Sequence, residues 1–294
     1  MSFVNYRNGN YVVYFNTETG DKIRNTKANR YEPAFAENCD VTITEYCDAG
    51  CSFCYAGCSK KGQHGKLNAK FLDSIHPFTE LAINGNDLSH PDLVAFLTKM
   101  RDRHVIVNMT VNQVHFEKHF DKIVDWQSQG LIKGVGVSFS KPSDTFLGKV
   151  KLCKNIVVHV IEGILTENDV KYLADHDINL LVLGYKTTGR GADYLSYRGA
   201  ECIANALWLK HNLNYVFSCF QSVSFDNLAL ERLNVRGAVS EDCWSRHFMG
   251  NDGDFTFFIN LVHGYFAKNS TSAVHYPLMD SVEEMFAVIK NEKE

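Results

Sequence analysis

Six short runs of aliphatic and β-branched residues, separated by longer amphipathic stretches, set the strongest limit on what this chain can become. They fall at residues 41–44, 80–83, 105–109, 134–139, 156–161 and 179–183. Strands that recur with helical crossovers point to a mainly parallel sheet, because parallel neighbours need a connection long enough to return to the same end. Helical candidates lie between the runs, among them residues 91–103 and 166–176, the second with Thr166 placed to cap its first turn. About six such units curl into a full or partial barrel, and in such folds the chemistry gathers where the βα loops leave the C-terminal ends of the strands.

The rhythm does not reach either end of the chain. Residues 4–6 and 11–15 flank Asn8-Gly9, a dipeptide that turns readily at positive φ, and so predict an N-terminal hairpin. Residues 255–260 and 265–268 flank Val262-His263-Gly264 as a second hairpin, and residues 282–290 read as a closing helix. The fold predicted is α/β: a partial (β/α)6 TIM-type barrel over residues 39–213, a hairpin and lead-in over 1–38, and a small α+β extension over 214–294 packed on the barrel. A chain of 294 residues suffices for this core. Its net charge of −4 leaves no electrostatic footprint for nucleic acid and disfavours such a partner. No stretch supplies the ~20 apolar residues that span a bilayer, so the expected setting is the cytosol, without a membrane partner.

Five of the nine cysteines crowd between Cys39 and Cys58, which suggests metal ligands more than disulfides. Cys47, Cys51 and Cys54 have CX3CX2C spacing directly after the first parallel-strand candidate, on the expected active-site face. Thiolates are the usual ligands of iron–sulfur clusters, and three of them leave one iron of a cubane open to another ligand. The competing reading is zinc held by these three with Cys58 or Cys39. Structural zinc favours paired knuckles separated by a longer insert, and here all candidates fall in one compact run.

With Phe53 just before the third cysteine, the segment resembles the radical S-adenosylmethionine superfamily, and the likeness extends loosely from Cys39 to Tyr185. The whole chain is also similar to phage and bacterial members of unassigned substrate. The resemblance implies a [4Fe–4S] cluster on Cys47, Cys51 and Cys54, with S-adenosylmethionine chelated at the open iron. It further implies a 5′-deoxyadenosyl radical that abstracts hydrogen from a substrate, either peptide or protein, or small molecule or nucleoside. A reductant such as flavodoxin or ferredoxin is implied as well. A non-catalytic protein stabilised by zinc or a cluster, with a degenerate S-adenosylmethionine site, is the alternative.

The same resemblance implies cofactor contacts from Phe53 and Tyr55, and from Asn84, Gly85, Asn86 and Asp87, where the family usually carries Gly-Gly-Glu-Pro. Asn86 stands where that glutamate would receive the methionine amino group. Ser138 and Ser140, at the end of the fourth strand, correspond to small hydroxyl residues facing ribose or carboxylate, and Ile161 to the segment beside adenine. On the third strand Asn108, Thr110 and Asn112 alternate with Val107, Met109 and Val111, which puts three polar side chains on one face. They suit either ligand binding or a satisfied polar layer. Lys186 and Arg190, in a glycine-rich loop after the sixth strand, could hold an anionic group. No catalytic residue is assigned; Asn112, Lys186 and Arg190 are the candidates. Cys202, Cys219 and Cys243 are too scattered to predict an auxiliary cluster.

Overall fold

A computed structural model describes residues 3–292. Three antiparallel strands open the chain: β1 (Phe3–Asn8), β2 (Tyr11–Asn16) and β3 (Lys22–Asn25). The β1–β2 turn is the predicted one, with Asn8 opposite Tyr11 and Gly9 at φ 57°. A Cβ at Gly9 would stand 1.8 Å from the Glu32 carbonyl oxygen, so no other residue fits there.

Then comes the parallel sheet, with β4 (Asn38–Thr42), β5 (Glu80–Asn86), β6 (Ile106–Asn112), β7 (Gly134–Ser138), β8 (Ile156–Ile161) and β9 (Asn179–Leu183) side by side in chain order. These are the six predicted runs. The intervening helices are α1 (Leu93–Asp102), α2 (Gln113–Lys118), α3 (Phe120–Ser128), α4 (Asp144–Leu152) and α5 (Glu167–Leu173). Thr166 caps α5 in a reciprocal capping box with Asp169. Between β4 and β5 there is instead the cysteine loop and one 3-10 turn, Lys70–Asp73.

After β9 come α6 (Arg190–His211), α7 (Leu213–Cys219), β10 (Ser222–Phe225), α8 (Asn227–Leu233), α9 (Val235–Ala238) and α10 (Glu241–His247). The chain closes with β11 (Thr256–Asn260), β12 (Tyr265–Ala267), β13 (Tyr276–Pro277) and α11 (Val282–Asn291). β10 pairs parallel with β9, and β11 pairs parallel with β4 on the opposite side. The residues after 213 thus extend the sheet at both edges, and eight strands run parallel. β12 and β13 add an antiparallel margin, and the outer strands β10 and β13 do not pair, so the barrel is open.

Period two divides the sheet into two chemically different faces. Val41, Leu81, Ile83, Val107, Met109, Val135, Val158 and Leu180 are buried in the main core toward the helices. Burying each such side chain is worth about 1.5–3 kcal/mol. The other face carries Asp40, Thr42, Asn84, Thr110, Asn112, Ser138 and His159, all partly or well exposed. It lines a polar hollow. No helix of the described residues is long and apolar enough to cross a membrane.

Candidate active site

The cysteine loop leaves the C-terminal end of β4 and is held from three sides. Below it, the Asn84 Nδ2 donates to the Thr44 carbonyl at 2.6 Å, and its Oδ1 accepts from the Ile43 amide at 2.7 Å. Asn86 sits at φ 48° beyond a bulge in β5, and its Nδ2 donates to the carbonyls of Tyr46 at 2.9 Å and Thr44 at 3.2 Å. Gly85 leaves room for Met109, whose Sδ lies 2.7 Å from where a Cβ would stand. The stretch expected to receive a methionine amino group therefore uses its amides to fix the approach to Cys47. Asp87 gives one oxygen to Ser89.

From the β9–α6 junction, Arg190 reaches across the loop. Its Nε donates to the Cys51 carbonyl at 2.9 Å and its Nη1 to the Cys58 carbonyl at 2.9 Å, while its backbone N–H meets the Cys54 carbonyl at 3.0 Å. Gly189, at φ 51°, presses so close that a Cβ would lie 2.5 Å from the Tyr55 carbonyl oxygen. Lys186 lies 4.5 Å from the Tyr55 ring centre and donates to the Ser270 hydroxyl at 3.0 Å. Both cations read from the sequence as anion binders thus serve, in part, to seat the loop.

The third side is the β6–α2 junction. Asn112 caps α2 and its Nδ2 donates to the Cys51 sulfur at 3.4 Å. Three residues on, buried His115 bonds the Asp48 carboxylate at 2.5 Å, and that bond holds the carboxyl below the usual carboxylate range.

Cys47, Cys51 and Cys54 are half-buried, and none is in a disulfide. A hydrogen bond from Cys58 and the nearby Arg190 charge bring the Cys54 thiol down to about 6, which favours the thiolate. Burial pushes the Cys47 and Cys51 thiols up. Cys58 itself is buried and accepts from Asn86 at 3.7 Å. Cys39 faces the core, away from the loop. Among the described residues no three His, Cys, Asp or Glu side chains converge on a point where one metal ion could sit. Two thiolates on one tetrahedral zinc lie only roughly 3.8 Å apart. A cubane asks less convergence, because each cysteine grips a different iron. Cys47, Cys51 and Cys54, free and half-buried on one loop, have the donor chemistry such a group takes.

Beside the loop, Phe53, Ser140 and Ile161 line one small cavity of 60 Å3, together with Phe139, Val160 and Ile164. Its 60 Å3 is well short of the ~300 Å3 of ordinary ligand pockets. Ser140 also donates to Gln113 at 3.1 Å, an anchoring bond for its own loop. Ser138 faces the hollow beside Asn112, its partner across the strands. A larger cavity of 420 Å3 lies at the other end of the strands, near Ile156 and Asn179, and holds none of the predicted residues. Its distance from the thiols makes the smaller cavity the relevant one.

Two residues of the hollow escaped the sequence reading. His159 projects over Gly136, where a Cβ would stand 2.3 Å from the ring and 2.9 Å from the Thr110 hydroxyl. Burial lowers His159 from 6.5 to about 4, so the imidazole is neutral at pH 7. Asp40 is open to the hollow yet walled by protein, which raises its carboxyl to about 6, opposed by Lys186 and reinforced by Asp252 and Asp226. Asp252 also accepts from Asn227 and from Asn269, both at 2.7 Å, and so bridges the open seam of the barrel between α8 and β12. The polar alternation on β6 hinted at such a hollow; nothing local marked its opposite wall.

Neither a protein-family model nor a curated protein matches this chain. Solved structures do share its fold. SuiB of Streptococcus suis bound to the precursor peptide SuiA aligns with a TM-score of 0.61 at 9% identity, covering 99% of this chain and 90% of that one. SuiB bound to S-adenosylmethionine aligns with a TM-score of 0.59 at 9% identity, over 99% and 89%. At such identity the likeness is one of architecture: an α/β fold with a largely parallel, barrel-type sheet running the length of the chain.

Proposed function

We propose that a chain with the SuiB-like fold and this cysteine loop is a radical S-adenosylmethionine enzyme. Cys47, Cys51 and Cys54 would hold a [4Fe–4S] cluster, and S-adenosylmethionine would bind at the open iron. The observation that carries this reading is the position of three unpaired thiols at the C-terminal ends of parallel strands, above a polar hollow. When bound, the reduced cluster supplies the electron that splits the carbon–sulfur bond of S-adenosylmethionine and releases the 5′-deoxyadenosyl radical that takes a substrate hydrogen.

This chain's residues would do the rest. Phe53 and Ile161 flank a slot for one edge of the adenine, with Ser138 facing the hollow on the ribose side. The Asn84 oxygen already accepts from the Ile43 amide and the Asn86 oxygen faces the Asn84 amide at 3.4 Å, so the charged carboxylate of Asp87, which gives Ser89 only one oxygen, is the better acceptor for the methionine ammonium group. Thr110, neutral His159 and Asp40 offer hydrogen bonds to a substrate below. A peptide is the favoured substrate class, since the SuiB structures of this fold hold a precursor peptide and S-adenosylmethionine. A cytosolic setting and a flavodoxin or ferredoxin reductant complete the proposal.

Anaerobic reconstitution tests the site. The expected result is about four irons and four sulfides per chain, with a reduced electron paramagnetic resonance signal that changes when S-adenosylmethionine is added. Stoichiometric zinc with no cluster would support the non-catalytic alternative.

A further inference from the structure

We infer that Asn112 is a positioning residue that raises the reduction potential of the cluster, through a hydrogen bond to the Cys51 sulfur. The inference rests on the cluster assignment proposed above. Asn112 ends β6 in extended conformation, φ −72° and ψ 148°, and opens α2 as its N-cap. Its Oδ1 accepts the Val114 amide at 3.0 Å. That bond fixes the plane of the side-chain amide, and the Nδ2 then has one direction left. It points at Cys51 Sγ, 3.4 Å away.

One side chain therefore joins a helix start to a ligand sulfur, and the junction is braced. His115, three residues on and so on the same side of α2, holds Asp48 of the cysteine loop at 2.5 Å. Gln113, the intervening buried residue, is itself tied to the Lys141 carbonyl at 2.9 Å. The helix cannot slide without releasing the loop at two points.

Reduction adds an electron whose charge spreads onto the sulfurs, and an N–H aimed at a ligand sulfur is worth more in the reduced state than in the oxidised one. Removing that donor moves the potential negative. The Arg190 guanidinium adds its positive charge in every variant, while its Nε and Nη1 are engaged by the carbonyls of Cys51 and Cys58, so the N–H on the Cys51 sulfur is what the Asn112 variants change.

The cap and the sulfur contact can be separated. Asn112→Asp keeps an acceptor for Val114 but replaces the N–H with a carboxylate oxygen. Asn112→Ser also caps, and is too short to reach Cys51. Both variants and the wild type would be reconstituted anaerobically, their iron counted, and their midpoint potentials measured by potentiometric titration followed by electron paramagnetic resonance. The expected result is full iron content in all three, with the midpoint shifted negative in Asn112→Ser and further negative in Asn112→Asp. Unchanged midpoints in fully loaded variants would overturn the inference while leaving the cluster assignment intact. Iron loss in both variants, with the melting of the apoprotein unchanged, would also overturn it and make Asn112 a support of the loop. A wild type that forms no cluster would remove the assignment and the inference together.

Discussion

The two ends of the parallel strands are built on opposite principles. At the N-terminal end the three-stranded sheet closes the barrel with a dry cluster of Tyr11, Val13, Phe15 and Ile106, and with ion pairs that hardly see solvent. Glu37, 1% exposed, accepts from Tyr11 at 2.5 Å and from both Arg24 Nε and Nη2, at 2.9 and 3.1 Å, while Lys22 pairs with Glu80 at 2.6 Å. At the C-terminal end, side chains from three neighbouring loops reach the cysteine segment, Asn86 and Arg190 at its backbone and Asn112 at the Cys51 sulfur, and the three thiols stay half-buried. One end spends its polar groups on each other. The other directs them at a loop whose own reactive atoms stay available, which is the arrangement a site of chemistry needs.

Breaking the closed end should cost the most stability. Glu37→Ala leaves Arg24, Lys22 and the Tyr11 hydroxyl around a missing carboxylate, and a buried pair broken from one side costs about 3–5 kcal/mol. Urea denaturation would report that loss, while the iron content of the folded fraction stays at the wild-type level. A comparable loss of iron would mean that the two ends are not independent.

At the open end the balance reverses. Arg190→Met removes two charge-assisted hydrogen bonds to the loop, a loss of about 1.5–3 kcal/mol each at most and less where water replaces them. The larger consequence is expected in iron retention after gel filtration of the reconstituted protein. Retention equal to wild type would show that the loop holds its shape without the clamp.

The smallest effect separates the hollow from both ends. His159 is held at about 4 by burial, below its ordinary 6.5, so the unfolded chain takes up its proton first as pH falls. The stability from keeping His159 neutral is therefore complete above pH 6.5 and is lost as pH drops toward 4. Denaturation at pH 7 and pH 4.5 should show a steeper loss in wild type than in His159→Gln. Equal slopes would mean that the hollow solvates the partly exposed imidazole well enough to leave its proton affinity unchanged on folding.

How much of this was readable in advance depended on whether the signal was local. The runs at 156–161 and 179–183 became β8 and β9 with the predicted bounds, because each is a compact apolar segment between turn residues. The hairpin at residue 9 was legible from Asn8-Gly9, yet β3 was not, since Lys-Ile-Arg-Asn carries one apolar residue in four. The pairing of β11 with β4 joins positions more than 200 residues apart, and no periodicity within either strand encodes its partner. Likewise α6 was missed, as its 22 residues bury only Gly191, Cys202 and Leu209 and show a weak apolar stripe.

In the site, CX3CX2C marked the loop because spacing is a local property. The targets of Asn86, Arg190 and Asn112 were not local: each reaches a backbone or sulfur atom brought near by the curl of the sheet. Asn112, Lys186 and Arg190, the candidates offered from sequence, each make a contact with the cysteine loop that no local pattern announced.

The central claim is that the three loop thiols carry a cluster that cleaves S-adenosylmethionine. The direct test is the anaerobic, dithionite-reduced protein incubated with S-adenosylmethionine and assayed for 5′-deoxyadenosine, beside a variant with Cys47, Cys51 and Cys54 all changed to Ala. The account predicts 5′-deoxyadenosine from the wild type and none from the variant. A fully loaded wild-type cluster that yields none, with candidate peptides present, would contradict it.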